Sequence, residues 1–284
     1  MMGTQTEKEL SCMQQMKYRV LALDLDGTLT NAKKEVTPRT KEALRRAIDA
    51  GVAVVLASGR PLIGVLPVAK ELALDRLGGY ILCYNGALIL ECRTQTPVFR
   101  RYLPEDAVRK ICAWAEGKPV HPLAYDEKGV ITPSPDNRYV HMEAYNNRLP
   151  IRHVADLAGA IDYPIEKMML VGEPEEAQRA MLELKERFHG ELNIFGSEPP
   201  FIEVMPLGVD KAFALDVLLE HLGAKREHMI ACGDGMNDIP MLRIAGLSVA
   251  MENARSAVKE LAHVVTRSNE EDGVAHVIER FIGV

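Results

Sequence analysis

Short apolar runs that stop abruptly at a polar residue, alternating with amphipathic stretches, set the pattern of the first part of the chain. Val20-Leu21-Ala22-Leu23 is such a run, ends at Asp24, and predicts a strand buried on both faces. A helix is predicted from Thr37, which caps it; Pro38 suits its first turn and Gly51 its end, with Leu44, Ala47 and Ile48 on one face. A second buried strand runs from Val52 to Ala57 and ends in Ser58-Gly59-Arg60-Pro61. After another helical stretch, a third apolar run, Tyr80 to Cys83, ends near Asn85-Gly86. The order strand, helix, strand, helix, strand implies right-handed crossovers and a parallel sheet with helices on both faces.

From Leu88 the texture changes. Residues 87–103 read as a hairpin and 104–117 as a helix with Val108, Ile111, Cys112 and Ala115 on one side. Residues 118–150 show no clean period. Pro164 to Val171 reads as a strand with Met168 and Met169 in its core, Glu173 to Phe188 as a helix, and Phe201 to Pro206 as a strand. After Pro206 the first texture returns: a helix from Asp210 to Leu222 stopped by Gly223, a strand from Met229 to Cys232, a helix from Pro240 to Ala245, and short strands at Ser248–Met251 and His263–Thr266. The expected fold class is therefore α/β: a doubly wound, mostly parallel sheet built from residues 17–88 and 206–284, interrupted by an inserted α+β module at 89–205. Residues 1–16 read as a flexible leader, or as chain upstream of a true start at Met16.

Composition changes this picture little but excludes several functions. The 284 residues are 47% hydrophobic and 26% charged, as in an ordinary globular protein of about two domains. A net charge of −6 argues against a general nucleic-acid binder. No run approaches the roughly 18 apolar residues of a membrane span, and the polar leader is unlike a secretory signal. Five cysteines without metal-type spacing point to a reducing cytoplasm. The single Trp114 reads as packing, and the eight histidines show no ligand spacing.

The chemistry sits at strand ends. Asp24, Ser58, Asn85 and Asp234 each lie at or just past the end of an apolar strand, and in a parallel sheet those ends share the edge where ligands bind. Asp24 and Asp26 stand two apart in DLDGTLT. An extended chain points both to one side, where a divalent cation or a proton on one relieves their repulsion. Taken alone, the segment also reads as a solvated acidic turn. In ASGRP, the Ser58 hydroxyl and Gly59 N–H make a phosphate cradle or an ordinary helix cap. Lys211 at a helix start opposes the helix dipole, so it needs a negative partner or lies free at the surface. GDGMND places Asp234, Asn237 and Asp238 in an oxygen-rich turn suited to a hard cation. It lacks the third glycine and the position of a dinucleotide fingerprint.

These four segments, in this order, resemble the haloacid dehalogenase superfamily. VTPRTKEAL, YNGAL, SVAMENA and SNEEDGVAHVIE narrow the resemblance to the Cof-type phosphatases and, within them, to the YidA-like sugar phosphatases. The resemblance covers nearly all of the chain after Lys17. It implies a Rossmann-like core with an inserted C2-type cap, and an Mg²⁺-dependent phosphatase of small phosphorylated metabolites, sugar phosphates above all. It makes Asp24 the nucleophile that becomes an aspartyl phosphate, and Asp26 the acid and base. Mg²⁺ would be held by Asp24, the Asp26 backbone carbonyl and Asp234, supported by Asp238. Ser58, Gly59, Lys211 and Asn237 would bind phosphoryl oxygens, with Asn85 at the pocket mouth. Many relatives have Thr in place of Ser58 and Gly in place of Ala212.

An acidic Asp26 favours a phosphatase, or a phosphomutase, over the ion-pumping ATPases, which carry Thr there and keep a persistent phosphoenzyme. The competing readings are a phosphomutase and a non-catalytic phosphosugar-binding module. The expected partner is a small phosphorylated metabolite, with no nucleic acid or membrane, for a cytoplasmic monomer or homodimer.

Overall fold

The computed structural model describes residues 17–284, so the leader lies outside the described residues. Two sheets organise the chain. The first begins with β1 (Val20–Leu23), β2 (Ala53–Ala57) and β3 (Tyr80–Cys83), joined by helices at Pro38–Asp49 and Leu62–Glu71. As the sequence predicts, Thr37 caps the first of these helices by accepting from the Thr40 N–H, and Pro38 opens it. Strand β1 is at most 1% exposed along its length, the burial that a continuous apolar run in a covered sheet requires. Each leucine so buried contributes about 1.5–3 kcal/mol.

The chain then departs from the expected boundary. Strands β4 (Leu88–Glu91) and β5 (Thr96–Arg100) form the predicted hairpin, but they continue the first sheet antiparallel to β3 instead of opening the insert at residue 89. Leu88, Ile89 and Leu90 are all buried, as in an interior strand, and a hairpin's local pattern does not say which sheet it extends. The second sheet is assembled after Arg100, from β6 (Val120–Asp126), β7 (Gly129–Thr132), β8 (Ile151–His153), β9 (Met168–Gly172), β10 (Leu192–Gly196) and β11 (Phe201–Pro206). Its order is β10-β11-β9-β6-β7-β8, antiparallel except between β7 and β8. The segment 118–150, without a readable period, holds β6, β7 and a helix at Arg138–Asn147.

After Pro206 the chain returns to the first sheet through a helix at Lys211–His221, then β12 (Met229–Gly233), β13 (Leu247–Ala250) and β14 (Val264–Val265). The full order, β14-β13-β12-β1-β2-β3-β4-β5, is parallel from β14 to β3. This is a mixed α/β, Rossmann-like architecture interrupted by an insert with its own sheet.

The insert's sheet has two working faces, because strand side chains alternate. Met168, Leu170, Ile202 and Val204 join the insert's own core against helices Ala107–Ala115 and Pro174–Arg187. Met169, Val171, Phe201 and Met205 face the other way and join the main core cluster. The same alternation turns Lys167 and Glu203 toward the first sheet.

Candidate active site

Register brings the strand-end residues together. Leu23 pairs with Leu56 on one side and Cys232 on the other, so Asp24 emerges between the ends of β2 and β12. The Asp24 N–H donates to the Cys232 carbonyl, Ser58 to Leu82 and Asn85 to Ser58. Those backbone bonds continue the parallel ladder into the loops and fix the side chains on one edge.

Asp24 is 6% exposed and its Oδ1 accepts from Lys211 Nζ at 2.7 Å. Lys211, itself 1% exposed, also donates to Asp238 Oδ1 at 2.6 Å. The negative partners that its place at a helix start demands are thus both present. They outweigh burial and the helix dipole and hold the ammonium charged. Asp238 Oδ2 accepts from the N–H groups of Asp234 and Gly235, so both of its oxygens are engaged. Asp234 Oδ1 accepts from Thr28 Oγ1 at 2.7 Å. Gly27, at φ +83°, leaves room for that carboxylate: a Cβ there would lie 2.4 Å from Asp234 Oδ2.

Carboxylate oxygens of Asp24, Asp234 and Asp238 lie within 4.8 Å of one another. Burial raises the Asp24 carboxyl well above the usual range, reinforced by Asp238 and Asp234 and opposed by Lys211. Burial, with repulsion from Asp238, lifts Asp234 up to about 6. A hard divalent cation fits this oxygen set and would relieve the repulsion. Asp24 and Asp234 suit it as ligands, and Asp238, with both oxygens taken, as support.

Asp26 has partners that its motif does not reveal. Arg60 grips it through both oxygens, Nε to Oδ2 at 2.6 Å and Nη2 to Oδ1 at 2.5 Å, and Lys34 Nζ reaches Oδ1 at 2.6 Å. Burial works to raise the Asp26 carboxyl, but Arg60 and then Lys34 outweigh it and hold it below the usual range. Arg60 stands in the ASGRP segment, two residues past Ser58, where its motif position was the available signal. Lys34 lies in a polar turn without one.

Asn85 sits in a tight turn at φ +49°, and its Oδ1 accepts from Asn237 Nδ2 at 3.1 Å. Gly59 packs closely against it: a Cβ there would stand 3.0 Å from Asn85 Oδ1, so a larger residue would push the amide aside by a few tenths of an ångström. All nine residues singled out in the sequence therefore meet at one edge. Above them the insert closes a cleft of about 300 Å³. Its roof holds Met142, Glu143, Asn147, Lys167, Ser197 and Glu203, and none of these carried a motif in the sequence.

The roof touches the floor directly. Lys167 Nζ donates to the Gly59 carbonyl at 2.8 Å and lies 2.9 Å from Glu203 Oε2. Burial lifts the Glu143 carboxyl up to about 7, against the pull of Lys167.

The family profile of the haloacid dehalogenase-like hydrolases matches residues 21–278, and the chain belongs to that family. It is 32% identical over 264 residues to the 5-amino-6-(5-phospho-D-ribitylamino)uracil phosphatase YcsE of Bacillus subtilis (strain 168), covering 93% of this chain and 96% of that one. A haloacid dehalogenase-like hydrolase from Bacteroides thetaiotaomicron superposes with a TM-score of 0.89 at 42% identity, covering 93% of this chain and 99% of that one. The subclass IIB sugar phosphatase BT4131 superposes with a TM-score of 0.80 at 27% identity, covering 94% of this chain and all of that one. The chain is thus a phosphatase of this hydrolase family, and among the described residues no helix is long and apolar enough to cross a membrane.

Proposed function

We propose that this phosphatase hydrolyses phosphate monoesters of small metabolites, sugar phosphates foremost, with Mg²⁺ and through an aspartyl-phosphate intermediate. The observation that carries the reading is the buried Asp24 carboxylate, held on one oxygen by Lys211 at the floor of the cleft, with Asp26 and Asp234 beside it. The relatives support the substrate class: BT4131 is a sugar phosphatase by name, and YcsE acts on a phosphorylated ribityl compound.

Asp24, the Asp26 backbone carbonyl and Asp234 would hold the Mg²⁺, with Asp238 behind them. Bound there, the ion supplies charge neutralisation for a phosphate dianion. The chain's own groups do the rest. Ser58 Oγ, the Gly59 N–H, Lys211 and Asn237 orient the phosphoryl oxygens, and Asn85 stands at the mouth. The Asp24 carboxylate attacks phosphorus; its oxygen bonds to phosphorus as the ester oxygen leaves with the bond's electron pair. Asp26 gives that oxygen a proton. It then takes a proton from the water that attacks the acyl phosphate, which frees phosphate and restores Asp24. The ion pairs with Arg60 and Lys34 favour the ionised Asp26 that the water step needs. An arriving phosphate dianion pushes the same carboxyl toward the protonated form required for the first step.

The test is phosphate release from an aryl phosphate and a panel of sugar phosphates, with Mg²⁺, with EDTA, and with Asp24→Asn. Release should vanish in EDTA, return with added Mg²⁺, and fall by about a thousandfold or more in the folded variant. Undiminished release by Asp24→Asn would overturn the covalent route. An isomeric ester as product, in place of free phosphate, would overturn hydrolysis.

A further inference from the structure

The phosphoryl end of the cleft is described above; the end that receives the rest of the ester is formed by the insert. Its roof carries two buried carboxylates, Glu143 (6% exposed) and Glu203 (5% exposed), a third at an exposed position, Glu198, and one ammonium, Lys167 (3% exposed). Lys167 is committed twice, to the Gly59 carbonyl at 2.8 Å and to Glu203 at 2.9 Å. The other cations near the floor are committed too: Arg60 and Lys34 to Asp26, Lys211 to Asp24 and Asp238. Arg255 lines the cleft at its exposed side. The roof therefore presents net negative charge and hydrogen-bond acceptors.

The acceptors are also held in place. Glu143 Oε1 accepts from Tyr125 Oη at 2.5 Å and from Asn147 Nδ2 at 2.7 Å, so both bonds fall on one oxygen. Asn147 is tied to the same helix by a second bond to the Glu143 carbonyl. Glu203 Oε1 accepts from Ser197 Oγ at 2.9 Å. These carboxylates lie on a helix and a strand, not on loops, and they serve no step of the reaction described above.

We propose that Glu143 and Glu203 determine leaving-group specificity: they accept hydrogen bonds from hydroxyls of an uncharged polyol and reject esters whose leaving group carries a second anion. This rests on the phosphatase reading. A hydroxyl donates to a carboxylate, and the charge on the acceptor strengthens the bond. A carboxylate or second phosphate has no proton to donate at neutral pH and meets like charge at short range. At pH 8 Glu143, lifted by burial only to about 7, is mostly ionised, so the discrimination is best read there.

The experiment uses matched substrates at pH 8 with saturating Mg²⁺. Glycerol 1-phosphate is compared with 3-phosphoglycerate, and fructose 6-phosphate with fructose 1,6-bisphosphate; an aryl phosphate reports on the chemistry alone. In the unmodified enzyme kcat/KM should be about tenfold or more higher for the uncharged member of each pair. Glu143→Gln and Glu203→Gln, each checked for fold by circular dichroism, should each shrink that ratio by about threefold or more. A residue that merely supports the fold would lower both members equally and leave the ratio intact, which would overturn the assignment. A ratio near one in the unmodified enzyme overturns it too, as does turnover of the aryl phosphate with none of any paired substrate. Only the absence of turnover on every ester, the aryl phosphate included, reaches back to the phosphatase reading itself.

Discussion

Lys211 shows how much one residue's setting can depart from its local sequence. At the first turn of its helix a cation opposes the dipole, yet it is fully buried, because Asp24 and Asp238 together outweigh both costs. Removing it leaves two buried carboxylates without a cation. Lys211→Met should lower unfolding free energy by about 3–5 kcal/mol in urea titrations. In an Asp24→Asn background the same substitution should cost at least about 1 kcal/mol less, since one orphaned charge is already gone. Additive costs in that cycle would show that the Asp24 contact contributes nothing.

At this scale the sequence was informative wherever a polar residue closes an apolar strand, since covalent order alone places it on the sheet edge. It was silent on Arg60 and Lys34 as partners of Asp26. Both side chains reach back from loops, and loop direction leaves no periodic trace.

Among the elements, the turn after β3 does the most to position the site. Tyr84, Asn85 and Gly86 take φ of +51°, +49° and +108° in succession, which aims Asn85 at Asn237. At Gly86 a Cβ would fall 2.5 Å from the Asp210 carbonyl, next to the start of the Lys211 helix. Gly86→Ala should therefore destabilise by about 1–3 kcal/mol and raise KM by displacing Asn85. A thermal melt and steady-state kinetics on one preparation check both.

The elements the sequence located well are those with both a period and a stop signal, such as the helix from Pro38 with its Thr37 cap. The hairpin of β4 and β5 is legible in the sequence as a hairpin, but its place in the first sheet is not, because pairing with β3 is a long-range choice. Segment 118–150 shows no clean period because β6 and β7 are buried by two different neighbours and mix apolar with polar positions: β6 alone carries His121, Pro122 and Tyr125 among its apolar residues.

For the molecule as a whole, the decisive feature is how the insert meets the sheet that carries the catalytic groups. Side-chain contacts that tie them include Lys167 to the Gly59 carbonyl, Arg148 Nη2 to the Lys33 carbonyl at 2.8 Å, Arg100 Nε to Glu166 Oε1 at 2.6 Å and Asn193 Nδ2 to the Val209 carbonyl at 3.2 Å. Asn147 packs onto Gly64 so closely that a Cβ there would lie 2.9 Å from its Oδ1, a buried oxygen with no hydrogen-bond partner. Gly64→Val should wedge the two bodies apart. The expected result is a fall in kcat/KM of about tenfold or more on sugar phosphates, with a melting temperature lowered far less than by Lys211→Met. Equal losses in stability would place the damage in the helix and not at this contact.

The amino-acid sequence by itself determined the α/β order of the core, the strand-end placement of Asp24, Ser58, Asn85 and Asp234, and the family they resemble. Each of these is written in local runs, caps and spacings. Only the tertiary structure decided which sheet the hairpin extends, which cations hold Asp26, and which insert carboxylates face the cleft. Those depend on pairings between distant segments, and on which face of an alternating strand meets a neighbour, and neither is encoded in any local period.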